Sequence, residues 1–193
     1  MHPIIHHINR ITDNAAFDQP AIMAAFESYA VKKKQVLLEE GKNCGYYYFV
    51  VKGCLRLYFL DNNGVEQTIQ FALENWWMTD LDAFKTGKKA VFSIQALEAS
   101  EVLAIDYKGY QRLLNEHPVM EKYFRLVYER AYTASLFRIN YITRLPKNEF
   151  YVFFSQLYPD FVQRIPQKIL ASFLGFTPEY LSELRKKLAT QKH

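Results

Sequence analysis

Only two cysteines, Cys44 and Cys54, occur in 193 residues. They are too few for a disulfide framework, and an iron–sulfur cluster held by the chain alone usually wants four thiolates. Both are expected to be inert packing residues. Histidine is absent from residues 8–116. Metal-dependent barrel oxygenases and isomerases usually hold iron or manganese with clustered histidines and a carboxylate, so that chemistry has no ligand set here. Haem equally lacks a histidine ligand in this stretch, and no nucleophile–base pair can be assembled. The expectation is a non-enzyme with no cofactor and no metal. His2 and His6 stand four apart, with only Asp13 beyond them, which suits a solvated helix face. No apolar run of about 18 residues could span a membrane. The start, MHPIIHHINRITDN, also lacks the order of a secretory signal, so a cytoplasmic protein without a membrane partner is expected.

What is present is ample apolar content, 50% of residues, enough for one large core or two small ones. The net charge of +4 is unevenly placed. Residues 138–193 hold nine Lys/Arg against four Asp/Glu, while residues 1–137 hold fifteen against sixteen. A basic C-terminal segment favours a polyanionic partner, although basic tails also occur as plain solvated surface.

Apolar spacing divides the chain by type. Ile4, Ile5, Ile8 and Ile11, then Ile22, Met23 and Phe26, predict two short helices broken at Asp13-Asn14. From about Val31 to Asp106 the period is two. Strands are expected at Val36–Leu38, Tyr46–Val51, Leu55–Leu60, Val65–Phe71, Phe92–Leu97 and Val102–Ile105, with a hairpin at Asp61-Asn62-Asn63-Gly64. Short strands so punctuated predict an antiparallel barrel or jelly roll. A short helix follows from Tyr107 to Glu116, then a break at His117-Pro118 and a long helix to about Ile142. Met120, Phe124, Val127, Ala131 and Ala134 recur along it at four-three spacing, which fits a coiled-coil dimer seam or a stripe packed on the chain's own barrel; the helix's length favours the dimer. Arg144-Leu145-Pro146 reads as a hinge, Asn148–Leu157 as a helix and Tyr158-Pro159-Asp160 as a turn.

The end of the chain, IPQKILASFLGFTPEYLSELRKKL (Ile165–Leu188), carries the clearest local logic. Leu170, Ala171 and Leu174 share a helix face until Gly175-Phe176 breaks the period. Thr177 is placed to cap a second helix, Pro178 suits its first position, and Glu179 complements its positive end. Leu181, Leu184 and Leu188 form its buried stripe. This is a helix-turn-helix pattern, shared with ordinary helical hairpins.

The whole order, with Gly41, YYYFVVKG (Tyr46–Gly53), the DNNG turn, ENWWMTDLDAF (Glu74–Phe84), IQALEASEVLAI (Ile94–Ile105) and LGFTPEYLSELRKKL, resembles the Crp/Fnr family of bacterial transcription regulators. The resemblance implies an α+β fold: a cyclic-nucleotide-binding-like barrel over residues 1–117, a dimerisation helix over 118–143, and an all-α helix-turn-helix domain over 144–193. It further implies a homodimer on a near-palindromic operator in double-stranded DNA, a small-molecule effector, and RNA polymerase as a further partner. The alternative is a ligand-binding barrel whose helical tail binds a protein partner instead of DNA.

Carried over position by position, the family's phosphate cassette is only half present. Its glycine positions fall on Asn75 and Thr79, its ribose-binding Glu on Asp80, and its phosphate-binding Arg and Ser on Ala90 and Val91. A guanidinium pairs bidentately with phosphate, which the nearby Lys88 and Lys89 cannot reproduce, so cAMP is not expected as the effector. Phe71, Trp76, Trp77 and Phe84 could instead line an aromatic pocket, with Asp80, Lys88 and Lys89 as polar members, or simply fill the barrel. On the recognition helix (177–188), Glu179, Tyr180, Ser182, Glu183, Arg185 and Lys186 are expected to face outward. Glu179 fits the family's base-reading role, while Pro178 and Glu183 replace two arginines. Thr177 joins as cap, and Gln167, Lys168, Arg185, Lys186 and Lys187 are assigned to phosphates. The residues after the recognition helix, 189–193, are expected to leave no room for the family's β-hairpin wing.

Overall fold

Asp13 and Asn14 both adopt positive φ, 59° and 57°, a conformation that aspartate and asparagine tolerate better than most side chains. They end the first helix, α1 (Pro3–Thr12), by donating their amides to the Asn9 carbonyl. A second helix, α2 (Gln19–Ala24), is capped by the Asp18 carboxylate, which accepts from the Ala21 amide at 3.1 Å. Phe26, expected on this helix, lies beyond it, and a strand that the pattern does not announce, β1 (Glu27–Val31), follows at once.

The computed structural model describes residues 2–190. After β1 come β2 (Val36–Leu38), β3 (Tyr46–Lys52), β4 (Leu55–Leu60), β5 (Glu66–Ala72) and β6 (Trp77–Met78), then helix α3 (Leu81–Thr86), β7 (Ser93–Ala96) and β8 (Ser100–Asp106). The strands form two four-stranded sheets, ordered β1-β8-β3-β6 and β2-β7-β4-β5, which is the expected jelly-roll arrangement. Five helices follow α3: α4 (Tyr107–Glu116), α5 (Pro118–Arg144), α6 (Lys147–Leu157), α7 (Pro159–Arg164) and α8 (Gln167–Leu174), and then the last, α9 (Pro178–Thr190). The class is α+β. Tyr158-Pro159-Asp160, expected as a turn, instead starts α7, because Pro159 takes the first helical position where no amide donor is needed. No helix among the described residues is long and apolar enough to cross a membrane.

Two compact units divide the chain: Met1–Phe59 with Ile69–Arg130, and Leu60–Thr68 with Ala131–His193. The division falls inside α5. In the first unit β8, β3 and β6 of the sheet β1-β8-β3-β6 are buried on both faces, while β1 is largely exposed. The buried strands send Tyr48, Val50, Met78, Val102 and Ala104 into the space between the sheets, alongside Leu55, Leu57 and Ile94. The alternate residues Tyr47, Phe49, Trp77, Leu103 and Ile105 form a second core with α1, α4 and α5. Gly53 closes the turn from β3 to β4 at φ 104°, and a Cβ there would collide with the Ser100 side chain.

The second core corrects two expectations. Met120 and Phe124 are fully buried in it and Val127 packs against it, so these three do not form a dimer seam. The aromatic outer face of β3 and β6 needs covering, and α5 covers it: Trp77 lies 5.0 Å from Phe124 and 4.7 Å from Tyr47 between ring centroids. Trp77 and Phe84, expected to line a barrel pocket, belong to this same outer core. Further along α5, Ala131 is half-buried and Ala134 exposed.

The outer core also encloses a polar chain. Trp77 Nε1 donates to the Tyr123 hydroxyl at 2.9 Å, and that hydroxyl lies 2.6 Å from His7 Nδ1. His7 is 3% exposed, and burial, with the positive charges of Arg10 and Arg130, pushes its pKa down to about 4. The fold therefore holds the ring neutral, while the unfolded chain takes up a proton below the ordinary value of 6.5. Stability contributed by the neutral ring is complete above that value and is lost as pH falls towards 4. In this window the wild-type chain should lose up to about 1.4 kcal/mol per pH unit more than His7→Phe does. Chemical denaturation of both proteins at several pH values checks this, and parallel pH profiles would refute it.

Candidate nucleic-acid interface and barrel site

Gly175 ends α8 in the left-handed region at φ 73°, its amide donating to the Ala171 and Ser172 carbonyls. The Phe176 amide also reaches the Ala171 carbonyl, at 2.9 Å, so the carbonyls left over at the helix end are satisfied. Two residues later Thr177 Oγ1 accepts from the Tyr180 amide at 3.2 Å and starts α9. The tight turn is held from below by Phe176, which is buried and meets Phe150 and Tyr180 edge-on at 6.4 and 5.3 Å. Leu170, Ala171, Leu174, Leu181 and Leu184 are buried, whereas Leu188 is only half-buried.

A residue without any sequence signal fixes this pair of helices to the second half of α5. Arg138 donates through a terminal nitrogen to the Phe173 carbonyl at 2.6 Å, and its guanidinium lies 4.3 Å over the Phe173 ring. A cation at the last turn of α8 complements the negative end of that helix. The site is costly: Arg138 Nε is buried with no hydrogen-bond partner among the described residues, and burial lowers the pKa of the group.

The residues expected to contact DNA fall into two sets. Lys168, Thr177, Glu179, Arg185 and Lys186 are exposed, and Gln167 and Ser182 are half-buried. Tyr180, Glu183 and Lys187 are also accessible, yet they line a cleft against α6. Glu183 is exposed, as expected, and also lines this cleft. Lys147 reaches over the Tyr180 ring at 5.7 Å and helps hold that ring in place. Gln191, Lys192 and His193, on which the expectation of a missing wing rests, lie outside the described residues.

In the barrel, the cassette positions serve the fold. Asn75 sits at φ 67°, where a glycine would be expected, and its amide donates to the Val50 carbonyl at 2.9 Å. Thr79 Oγ1 donates to the Tyr46 carbonyl and neighbours Cys44 Sγ at 3.1 Å. Burial raises the Cys44 thiol pKa, which disfavours the reactive thiolate. Asp80 is 3% exposed and caps α3 through the Ala83 amide at 3.2 Å, while its second oxygen accepts from the Val91 amide at 2.8 Å. Ala90 is buried and Val91 exposed. Lys88 pairs with Asp82 at 3.7 Å, both side chains 70% accessible, and Lys89 donates to Asn43 at 2.9 Å. Neither lysine is enclosed. Phe71 and Trp76 are half-buried; Trp76 packs on the core between the sheets and carries the Arg130 guanidinium 4.9 Å above its ring.

Residues 30–117 match the family of the cyclic nucleotide-binding domain. Over 85 residues the chain is 26% identical to the cAMP-activated global transcriptional regulator CRP of Salmonella typhimurium, covering 44% of this chain and 40% of that one. The chain thus spans 40% of the length of the curated relatives it matches. Among solved structures it is similar to FixK2 from Bradyrhizobium japonicum, at 17% identity and a TM-score of 0.72, with 86% of each chain covered. It is likewise similar to a protein of Eubacterium rectale described as a regulator of the Crp/Fnr family, at 16% identity and a TM-score of 0.68, with 90% of this chain and 82% of that one covered. At these identities the solved structures establish the fold.

Proposed function

From a chain that carries the fold of Crp/Fnr-family transcriptional regulators, with a cyclic nucleotide-binding domain at residues 30–117, we infer a DNA-binding transcriptional regulator that acts as a homodimer. The observation that carries this inference is the turn between α8 and α9. A left-handed Gly175 and a Thr177 cap present α9 with Glu179, Ser182, Arg185 and Lys186 accessible, on the more basic segment of the chain. Glu179 and Ser182 are assigned to base edges, and Lys168, Arg185 and Lys186 to phosphates.

The second half of α5 supplies the dimer face. Tyr132, Leu136 and Ile139 follow one another at four-three spacing and are 66%, 48% and 56% exposed. A stripe of large apolar side chains in water is the mark of an interface, and a twofold axis along it would give each recognition helix an identical partner. Ala131 and Ala134 lie on a different face of α5 from this stripe, so the contact is assigned to Tyr132, Leu136 and Ile139.

For the barrel we propose an effector other than a phosphate-clamped cyclic nucleotide. The relative from Salmonella is named as cAMP-activated. Here the buried Ala90 stands where the resemblance places the guanidinium, and the Asp80 carboxylate already accepts two backbone amides. Phe71 and Trp76 remain as aromatic lining for a ligand of low charge.

Selection from a random DNA pool at about 150 mM salt should recover a near-palindromic site. On that site Glu179→Ala should change base preference by about 1–3 kcal/mol, while Lys186→Ala should weaken all sequences alike and lower the salt slope by about one. Loss of specific retention at that salt would overturn the DNA assignment. Leu136→Glu with Ile139→Glu should shift the chain from dimer towards monomer in sedimentation velocity, whereas a monomeric wild type would refute the interface. Titration calorimetry with cAMP should show no micromolar binding, and binding that Lys88→Ala or Lys89→Ala abolishes would reverse the effector assignment.

A further inference from the structure

β5 is the edge strand of its sheet, and an edge leaves amides and carbonyls without a strand partner. On β5 the Thr68 amide donates to the Ser172 hydroxyl of α8 at 3.3 Å, and Thr68 Oγ1 lies 2.9 Å from Ser172 Oγ. Residues 60–68, the end of the β4–β5 hairpin, group with α8 in the second unit. We infer that Thr68 and Ser172 are positioning residues for DNA binding. Their contact holds α8, and with it α9, to the hairpin, so that each protomer presents its recognition helix at one fixed angle.

The contact is stiff on both sides. Asp61 ties the hairpin together: one carboxylate oxygen accepts from the Asn63 and Val65 amides at 2.9 and 3.0 Å, and the other from the Gln67 side chain at 2.9 Å. On α8, Ser172 Oγ also lies 2.9 Å from the Ile169 carbonyl, which fixes its rotamer. Thr68 is 3% exposed, so water has little access to replace a lost partner, and an unmade hydrogen bond there leaves a buried polar group unsatisfied.

Ser172 and Phe173 are neighbours on the last turn of α8. Arg138 of α5 holds the Phe173 carbonyl at 2.6 Å, and the hairpin holds Ser172. Two elements thus grip the turn that leads through Gly175 into α9. With both contacts made, Lys168, Glu179, Arg185 and Lys186 stay exposed, so the hairpin orients the face assigned to DNA without covering it. A dimer on a near-palindrome needs its two recognition helices about one turn of DNA apart, and loosely held helices would accept other spacings.

This role rests on the reading of the chain as a homodimeric DNA-binding regulator. The test uses the full chain on its selected site and on a copy with two base pairs inserted between the half-sites. Ser172→Ala should weaken binding to the selected site about tenfold, and Thr68→Val less, because the Thr68 amide contact remains. Both should narrow the preference of the wild type for the original spacing, a change that a mere loss of folded protein would not produce. The double variant should bind no more weakly than Ser172→Ala alone, and Thr68→Ser, which keeps the hydroxyl, should restore what Thr68→Val loses. Without DNA, the Thr68 amide should exchange about tenfold faster in Ser172→Ala than in the wild type. Affinity and spacing preference unchanged in both variants, additive losses in the double variant, or equal Thr68 exchange would overturn this inference alone. Failure of the wild type to select any site would instead overturn the DNA reading, and the positioning role with it.

Discussion

The Tyr123 hydroxyl is the junction on which the first unit's second core depends. It accepts from Trp77 Nε1 at 2.9 Å and lies 2.6 Å from His7 Nδ1. The far nitrogen of the His7 ring, Nε2, is buried without a partner among the described residues. One end of this chain is on β6, the middle on α5 and the other end on α1. Packing alone would place α5 on an aromatic sheet face; the three-group polar chain selects one register, because a shift of a single residue would leave the indole and imidazole nitrogens buried and unpaired. Its cost is the unpartnered Nε2 of His7, on the ring whose burial makes this core sensitive to acid.

That junction explains why the four-three stripe on α5 misleads. A repeat of apolar residues every three and four positions shows that one helix face is buried, and it carries no information on what buries it. Met120, Phe124 and Val127 meet the chain's own sheet, while the side chains that remain in water, Tyr132, Leu136 and Ile139, lie on another stripe half a helix further along. The distinction would have been legible only by matching the aromatics of β3 and β6 to a partner, and a single sequence does not say which of two buried sheet faces a strand residue occupies. The same ambiguity misplaced Trp77. In β3, Tyr47 to Val50 are all buried, so alternation loses its contrast and Tyr47 cannot be told from Tyr48 by pattern. The short β6 and α3 escape for a related reason: two and six residues are too few to show a period.

The helix-turn-helix was readable because its determinants are local. Gly175 supplies the left-handed residue, Thr177 the cap and Pro178 the first helical position, and each acts within a few residues of itself. Arg138 lies at the opposite extreme. Its partner, Phe173, is 35 residues away, and an arginine on a long amphipathic helix is ordinarily a solvated one. Here the second half of α5 and the last turn of α8 are joined by one charged hydrogen bond and one cation–π contact. A partly desolvated guanidinium held by a carbonyl and a ring has no counter-charge in that contact, so the connection is tight in geometry and modest in energy.

In the barrel, the positions that the resemblance assigns to a phosphate cassette keep its backbone features without its cationic side chain. Asn75 keeps the left-handed turn that the resemblance assigns to glycine, and Asp80 keeps a carboxylate at the start of α3. What has changed is where the charge goes. With an arginine at position 90, a bound phosphate would be compensated within the pocket. With Ala90 buried there, the Asp80 carboxylate is compensated by the Ala83 and Val91 amides, which use both of its oxygens. An incoming phosphate would therefore meet an unmoved negative charge with no guanidinium to offset it, and the nearest lysines are already paired at the surface with Asp82 and Asn43. At the low effective dielectric of a partly closed site, repulsion of this kind outweighs what two solvated ammonium groups on a flexible stem return. The sequence departures at positions 80, 90 and 91 thus act as one unit: the loop is held by Asp80 through the Ala83 and Val91 amides, with no charged side chain at positions 90 and 91.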